Sequence, residues 1–174
     1  MAKIITAAEA ADLIQDGMTL GVSGFGAFAS PDYVMEAMSR KFKEQNTPRD
    51  LTIVSGVAPG DFVEDGCGLS KIKDEGISKR PGIITHVGLN TYADPRQDGC
   101  KMNELAKADG REMVELIHVS GKDYLFYKAF HIDACILHAS YADTEGNISL
   151  QNEPVHGDLL ELALAVHNNG GIVI

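Results

Sequence analysis

A chain of 174 residues is long enough for one domain with a real core, and an apolar share of 44% excludes a disordered chain. With 25 acidic against 15 basic side chains the formal net charge is -10. That excludes duplex nucleic acid and an anionic membrane surface as partners, since each demands a basic face. No apolar run reaches the ~18 residues of a membrane span. The opening MAKIITAAEAADLIQDG lacks the apolar stretch of a secretory signal, so a cytoplasmic location is expected. Cys67, Cys100 and Cys135 are far apart and form no Cys-x-x-Cys, so they are expected to be small packing residues in a reduced compartment.

Taken in chain order, Thr6 to Ile14 predicts a helix, opened by a Thr6/Glu9 capping box and stopped at Gly17. Thr19 to Ser23 predicts a strand. A glycine-rich turn runs from Ser23 to Pro31, with Ser30 as N-cap and Pro31 at the first position of a second helix. Val34, Met38 and Phe42 would share that helix's apolar face. Leu51 to Ser55 predicts a buried strand, Leu69 to Glu75 a short helical piece, and Ile83 to Val87 another strand. Asp94 to Asn103 reads as loop. Glu112 to Val119 and Tyr124 to Phe130 predict two strands joined at Ser120-Gly121. Ala134 to Ser140 predicts a strand, Glu145-Gly146-Asn147 a turn into Ile148 to Leu150, and Pro154 to His167 a last helix. Gly171 to Ile174 begins a buried-type strand at which the chain stops, which suggests truncation. This alternation implies a layered α/β structure with a mostly parallel sheet.

The densest chemical signal is strand, glycine loop, helix over residues 19–45. Gly24 and Gly26 let backbone approach a phosphate, carboxylate or oxyanion, and a helix N-terminus favours negative charge. Gly24-x-Gly26-x-x-Ala29 also fits the dinucleotide fingerprint, but the following strand ends in Ser55-Gly56 rather than in the acid that a ribose needs. No Walker loop and no GxSxG elbow is present. His86, His118, His131, His138, His156 and His167 share no metal-ligand spacing and are expected to be structural. Arg96, within Asp94-Pro95-Arg96, has two readings: a clamp on a carboxylate or phosphate, or a pin for its own loop.

The segments DGMTLGVSGFGAFASP (Asp16 to Pro31), NTYADPRQDGCKMNE (Asn90 to Glu104), DYLFYKAF (Asp123 to Phe130), YADTEGNISL (Tyr141 to Leu150) and AVHNNGGIVI (Ala165 to Ile174) occur in order. Together they resemble family I coenzyme A transferases, of the kind in which α-type and β-type halves are fused. The first segment departs from the family pattern at Gly21, and at Ser23 and Ala29, where Gly is usual. The resemblance implies a three-layer α/β/α open, mostly parallel sheet, the fold that CoA-transferases share with sugar-phosphate isomerases. An isomerase is the weaker reading, because the DPR and DTEGN segments speak against it. Residues 1–174 would form the α-type domain. Only Ile77, Ser78 and Lys79 separate GLSKIKDEG from RPGIITHVG, where the family carries a longer stretch, so an internal shortening near 76–81 is expected.

The resemblance also implies a ping-pong reaction. A Glu carboxylate attacks an acyl-CoA thioester, giving an acyl-enzyme anhydride and then a glutamyl-CoA thioester. In the family that Glu lies in the β-type half, so no catalytic residue is assigned here, and the alternative reading is a non-catalytic fragment of the same fold. By resemblance, Gly24, Phe25, Gly26 and Ala27 wall the acyl pocket, with Ser55, Gly56 and Asp61 beside them, and Arg96 is a further candidate for binding substrate. No metal and no cofactor is implied; CoA and acyl-CoA are substrates. The expected partners are the β-type half, small carboxylic acids and further copies of the chain, the β-type half docking on an exposed apolar face. A charge of -10 places most contacts to the anionic CoA in that other half.

Overall fold

The computed structural model describes residues 2–25, 28–55 and 82–174. The candidates Gly26, Ala27, Gly56 and Asp61, together with Cys67, the 69–75 helix and the 76–81 junction, lie outside them. Two compact units are formed, Met1–Ile77 with His131–Ile174, and Ser78–Phe130.

The first unit holds α1 (Ala7–Leu13), β1 (Thr19–Val22), α2 (Asp32–Gln45), β2 (Thr52–Val54), β6 (Ala134–Ile136), β7 (Tyr141–Ala142), β8 (Ile148–Ser149), α4 (Leu159–Asn168) and β9 (Ile172–Val173). Its main sheet has the order β2-β1-β6-β9 and is parallel throughout. Register is locked at the start of β1, where Thr19 N–H donates to Asp133 Oδ2 at 2.7 Å and Asp133 N–H returns to the Thr19 carbonyl at 2.9 Å. Side chains alternate across a strand, so Leu20 and Val22 share one face with Ala134 and Ile136. These four and Ile14 form the buried core, against which Val34, Met35 and Met38 of α2 pack. Gly21 and Cys135, paired across β1 and β6, occupy the other face. A Cβ on Gly21 would stand 2.4 Å from Leu162 Cδ1, so α4 lies directly on the backbone there. Helices therefore cover both faces, and the three-layer α/β/α arrangement is found. Cys135 is fully buried, and desolvation pushes its thiol up to about 12, which leaves it inert.

The second unit contains β3 (Gly82–Thr85), α3 (Glu104–Ala108), β4 (Val114–Val119) and β5 (Lys122–Lys128). Its sheet is antiparallel, β3-β5-β4, with Ala93, Val114 and Leu125 as its buried centre. Ser120 and Gly121 both take positive φ, 50° and 78°, as a two-residue hairpin turn between right-twisted strands requires. The loop before α3 is organised by one carboxylate. Asp94, 1% exposed, accepts the N–H groups of Asn90 and Arg96 and is gripped by the Arg96 Nε and Nη2 at 3.0 and 2.7 Å. Arg96 Nη1 reaches Asp123 Oδ2 at 3.0 Å, and His118 Nδ1 lies 3.0 Å from Asp123 Oδ1. This tethers the loop to the β4–β5 hairpin.

Several expectations are corrected. The capping box of α1 is present, with Glu9 N–H on Thr6 Oγ1 at 3.2 Å. For α2 the N-cap is Pro31, one residue later than predicted, and Ser30 Oγ turns toward Met35 Sδ. Phe42 is 46% exposed, and Met35 joins Val34 and Met38 on the core instead. The last helix starts at Leu159 rather than Pro154, because Gly157 takes φ 57° and breaks any earlier helical run. The closing strand is not buried: Ile172 and Val173 are 38% and 44% exposed, on the outermost described strand of the sheet. Helix α3 was not anticipated; Asn103 caps it by accepting Ala106 N–H at 2.7 Å.

Two expectations can be measured. Gly21→Ala forces fully buried Leu162 to move and should cost about 1–3 kcal/mol in chemical denaturation. Leu162→Ala in the same chain should recover part of that loss, and strict additivity of the two would contradict the packing. Asp94→Asn should lower stability at neutral pH. The Arg96 guanidinium, with the Asn90 N–H, holds the Asp94 carboxyl well below the usual carboxylate range. A depressed folded-state value contributes stability above the unfolded value of ~3.9 that is lost as pH falls further. The gap between wild type and variant should therefore be full at pH 7 and shrink below about pH 4; a gap independent of pH would contradict it.

Candidate functional site at the carboxyl edge of the parallel sheet

Because β1, β2 and β6 run parallel, the segments that leave their carboxyl ends emerge at one edge. In open α/β sheets that edge is where ligands bind. Here it collects Ser23-Gly24-Phe25 after β1, Ser55 after β2, and Leu137-His138 after β6. Gly24 is buried with φ 151°, a conformation that only glycine takes readily. Phe25 and Phe28 exchange backbone hydrogen bonds at 2.9 and 3.1 Å, which narrows the loop between them. Their side chains are 47% and 58% exposed, so the loop presents two aromatic rings to the outside. Ser55 is fully buried.

The departures from the family pattern have local reasons. Ser23, 2% exposed, uses its Oγ to accept the His138 N–H at 3.0 Å, while Ser23 N–H donates to the Ile136 carbonyl at 3.1 Å. Its hydroxyl thus stitches the exit of β1 to the exit of β6. Ala29 holds φ 51°, which costs an L-residue about 1–2 kcal/mol and which the usual Gly would adopt freely.

Of the candidates read from the sequence, Gly24, Phe25 and Ser55 come together at this edge. Arg96 belongs to the second unit, where three of its donors are spent on Asp94 and Asp123. That geometry matches the pin rather than the clamp. The sequence reading missed a polar cluster at the same edge. Glu153, its side chain 10% exposed, accepts from Ser140 Oγ at 2.8 Å on Oε1, and His138 Nε2 lies 3.3 Å from Oε2. Ser140 Oγ in turn accepts the Asn152 N–H at 3.1 Å. The β7–β8 hairpin brings Ser140 and Glu153 together, and Asp143 closes its turn by accepting the N–H groups of Glu145 and Asn147. Only a signal for that hairpin, the Glu145-Gly146-Asn147 turn, was available in the sequence. Among the described residues no group of His, Cys, Asp and Glu could hold a metal ion, and no helix is long and apolar enough to cross a membrane.

Comparison with known proteins places this edge in context. The chain matches the coenzyme A transferase family over residues 4–75 and 75–171. It is 38% identical over 216 residues to a caffeate CoA-transferase of Acetobacterium woodii, spanning 100% of this chain and 40% of that protein. The crystal structure of the acyl-CoA transferase YdiF apoenzyme from Escherichia coli O157:H7 aligns with a TM-score of 0.87 at 30% identity, covering 98% of this chain and 40% of that one. An acetate CoA-transferase subunit alpha from Escherichia coli K12 is 23% identical over 175 residues, 86% of this chain and 75% of that subunit. The chain thus spans about 40% of the length of the longer relatives. A family match running through nearly the whole sequence, on a parallel α/β sheet shared with a solved acyl-CoA transferase, establishes that the chain belongs to the coenzyme A transferase family.

Proposed function

We propose that this chain is the α-type half of an acyl-CoA:carboxylate CoA-transferase, which moves CoA between a short-chain acyl-CoA and a carboxylate such as acetate or propionate. The observation that carries the proposal is the family match over residues 4–171 in a chain spanning only 40% of its longer relatives. The alpha subunit named above, of which the match covers 75%, supports the assignment to that half.

In this reading a Glu carboxylate from the β-type half attacks the thioester carbonyl. The C–S bond breaks, CoA leaves as thiolate, and an acyl-glutamyl anhydride remains. Thiolate then attacks the glutamyl carbonyl and releases the first acid as carboxylate. The acceptor acid reverses both steps, so no net proton or electron is consumed. This chain contributes walls rather than the nucleophile. Gly24 lets the acyl group approach the backbone, and the exposed rings of Phe25 and Phe28 form the apolar rim on which the second half closes. Backbone N–H groups of such loops stabilise the tetrahedral oxyanion of each acyl transfer. The net charge of -10 fits CoA contacts made mainly by the partner half. The assembly is placed in the cytoplasm as an oligomer of such pairs.

The test is reconstitution. The chain, alone and combined with its β-type half, is assayed for CoA transfer from acetyl-CoA to propionate and, since one relative is named for caffeate, to caffeate. Transfer should require both halves. Transfer by the chain alone would contradict the assignment of the nucleophile, and a combined sample inactive with every acid would support a non-catalytic fragment.

A further inference from the structure

We propose that His138 is a binding residue for the carboxylate of the acceptor acid, and that Glu153 is the positioning residue that holds its ring; the proposal rests on the CoA-transferase reading above. His138 follows β6 at the same edge as Ser23 and Gly24, and its backbone is fixed by the Ser23 hydroxyl at 3.0 Å. Its side chain is 43% exposed, whereas that of Glu153 is 10% exposed. The two oxygens of Glu153 are engaged by Ser140 and by His138 Nε2, so this carboxylate faces inward and is not presented as a nucleophile. The ring is thereby held by one nitrogen, and Nδ1 has no hydrogen-bond partner among the described residues. A protonated imidazole donates from both nitrogens: with Nε2–H given to Glu153, Nδ1–H is offered to a second oxygen acid. A charged donor facing a carboxylate makes a hydrogen bond roughly twice as strong as a neutral pair. A histidine that served packing alone would have no use for a mostly buried carboxylate behind it. The base-and-orienter arrangement instead serves a ring whose outer nitrogen must point in a fixed direction.

The chemistry separates the two substrates. The acceptor arrives as a charged carboxylate, whereas the acyl group of the donor is an uncharged thioester. Loss of His138 should weaken the acid selectively. In the assembled enzyme, His138→Ala should raise KM for propionate by about tenfold, leaving KM for acetyl-CoA and kcat within about threefold. Glu153→Gln, which keeps the hydrogen bond to Ser140, should raise the same KM by a smaller factor, and His138→Gln should recover part of the loss. Two results would overturn the proposal: propionate KM unchanged in folded His138→Ala, or both KM values rising together. Should His138→Ala fail to fold, the same criteria apply to Glu153→Gln and His138→Gln. Titration of the wild-type protein with propionate, followed by the imidazole resonances of His138, separates this proposal from the one beneath it. A saturable shift in a protein that transfers no CoA keeps the binding residue and removes the transferase reading; no shift removes the binding residue itself.

Discussion

Thr19–Val22 is hydrogen-bonded along both of its edges, to β2 on one side and β6 on the other, in the same direction. A strand in that position must be apolar on both faces, and its two faces are solved differently. Leu20 and Val22 fill one side against α2, while Gly21 vacates the other so that Leu162 of α4 can rest on the backbone. Parallel pairing on both edges also dictates where the following residues go. The segments after β1, β2 and β6 have no choice but to emerge together, and the site is a consequence of that constraint.

Polar groups at this edge then finish what the sheet begins. The Ser23 hydroxyl ties the glycine loop to the backbone of His138, and the mostly buried carboxylate of Glu153 fixes both Ser140 and the His138 ring. Neither serine is left to satisfy itself with water in the interior, as burial of a hydroxyl requires. The second unit uses the same economy of charge elsewhere. Asp94 organises its loop, and Arg96 carries that order to Asp123 and so to the β4–β5 hairpin. An arginine that reads in the sequence like a ligand clamp is, in the structure, the brace of its own loop.

What was legible in the sequence was local. The Thr6/Glu9 box and the Ser120-Gly121 turn are written in neighbouring residues and appear where they were expected. The order of strands and helices, and the layered parallel sheet, followed from periodicity and from ordered motifs that resemble one family. Boundaries set by a single backbone angle were not legible. The start of α4 waits for the positive φ of Gly157, and the N-cap of α2 moves one residue because Ser30 turns inward. The pairing of His138 with Glu153 was beyond reach for a different reason: it exists only after the β7–β8 hairpin folds Ser140 back onto the segment that follows it. Expecting every histidine to be merely structural overlooked the one whose ring is held from behind at the ligand edge.

The central claim is that this chain shapes the acyl site while the nucleophile comes from another half. It is tested most directly by trapping the covalent intermediate. The assembled enzyme is incubated with acyl-CoA, the glutamyl-CoA thioester is reduced with borohydride, and the modified residue is located by peptide mass spectrometry. The account requires the modification on a Glu of the β-type half, with every peptide of residues 1–174 unchanged. A reduced glutamyl residue within this chain, at Glu153 or elsewhere, would contradict it.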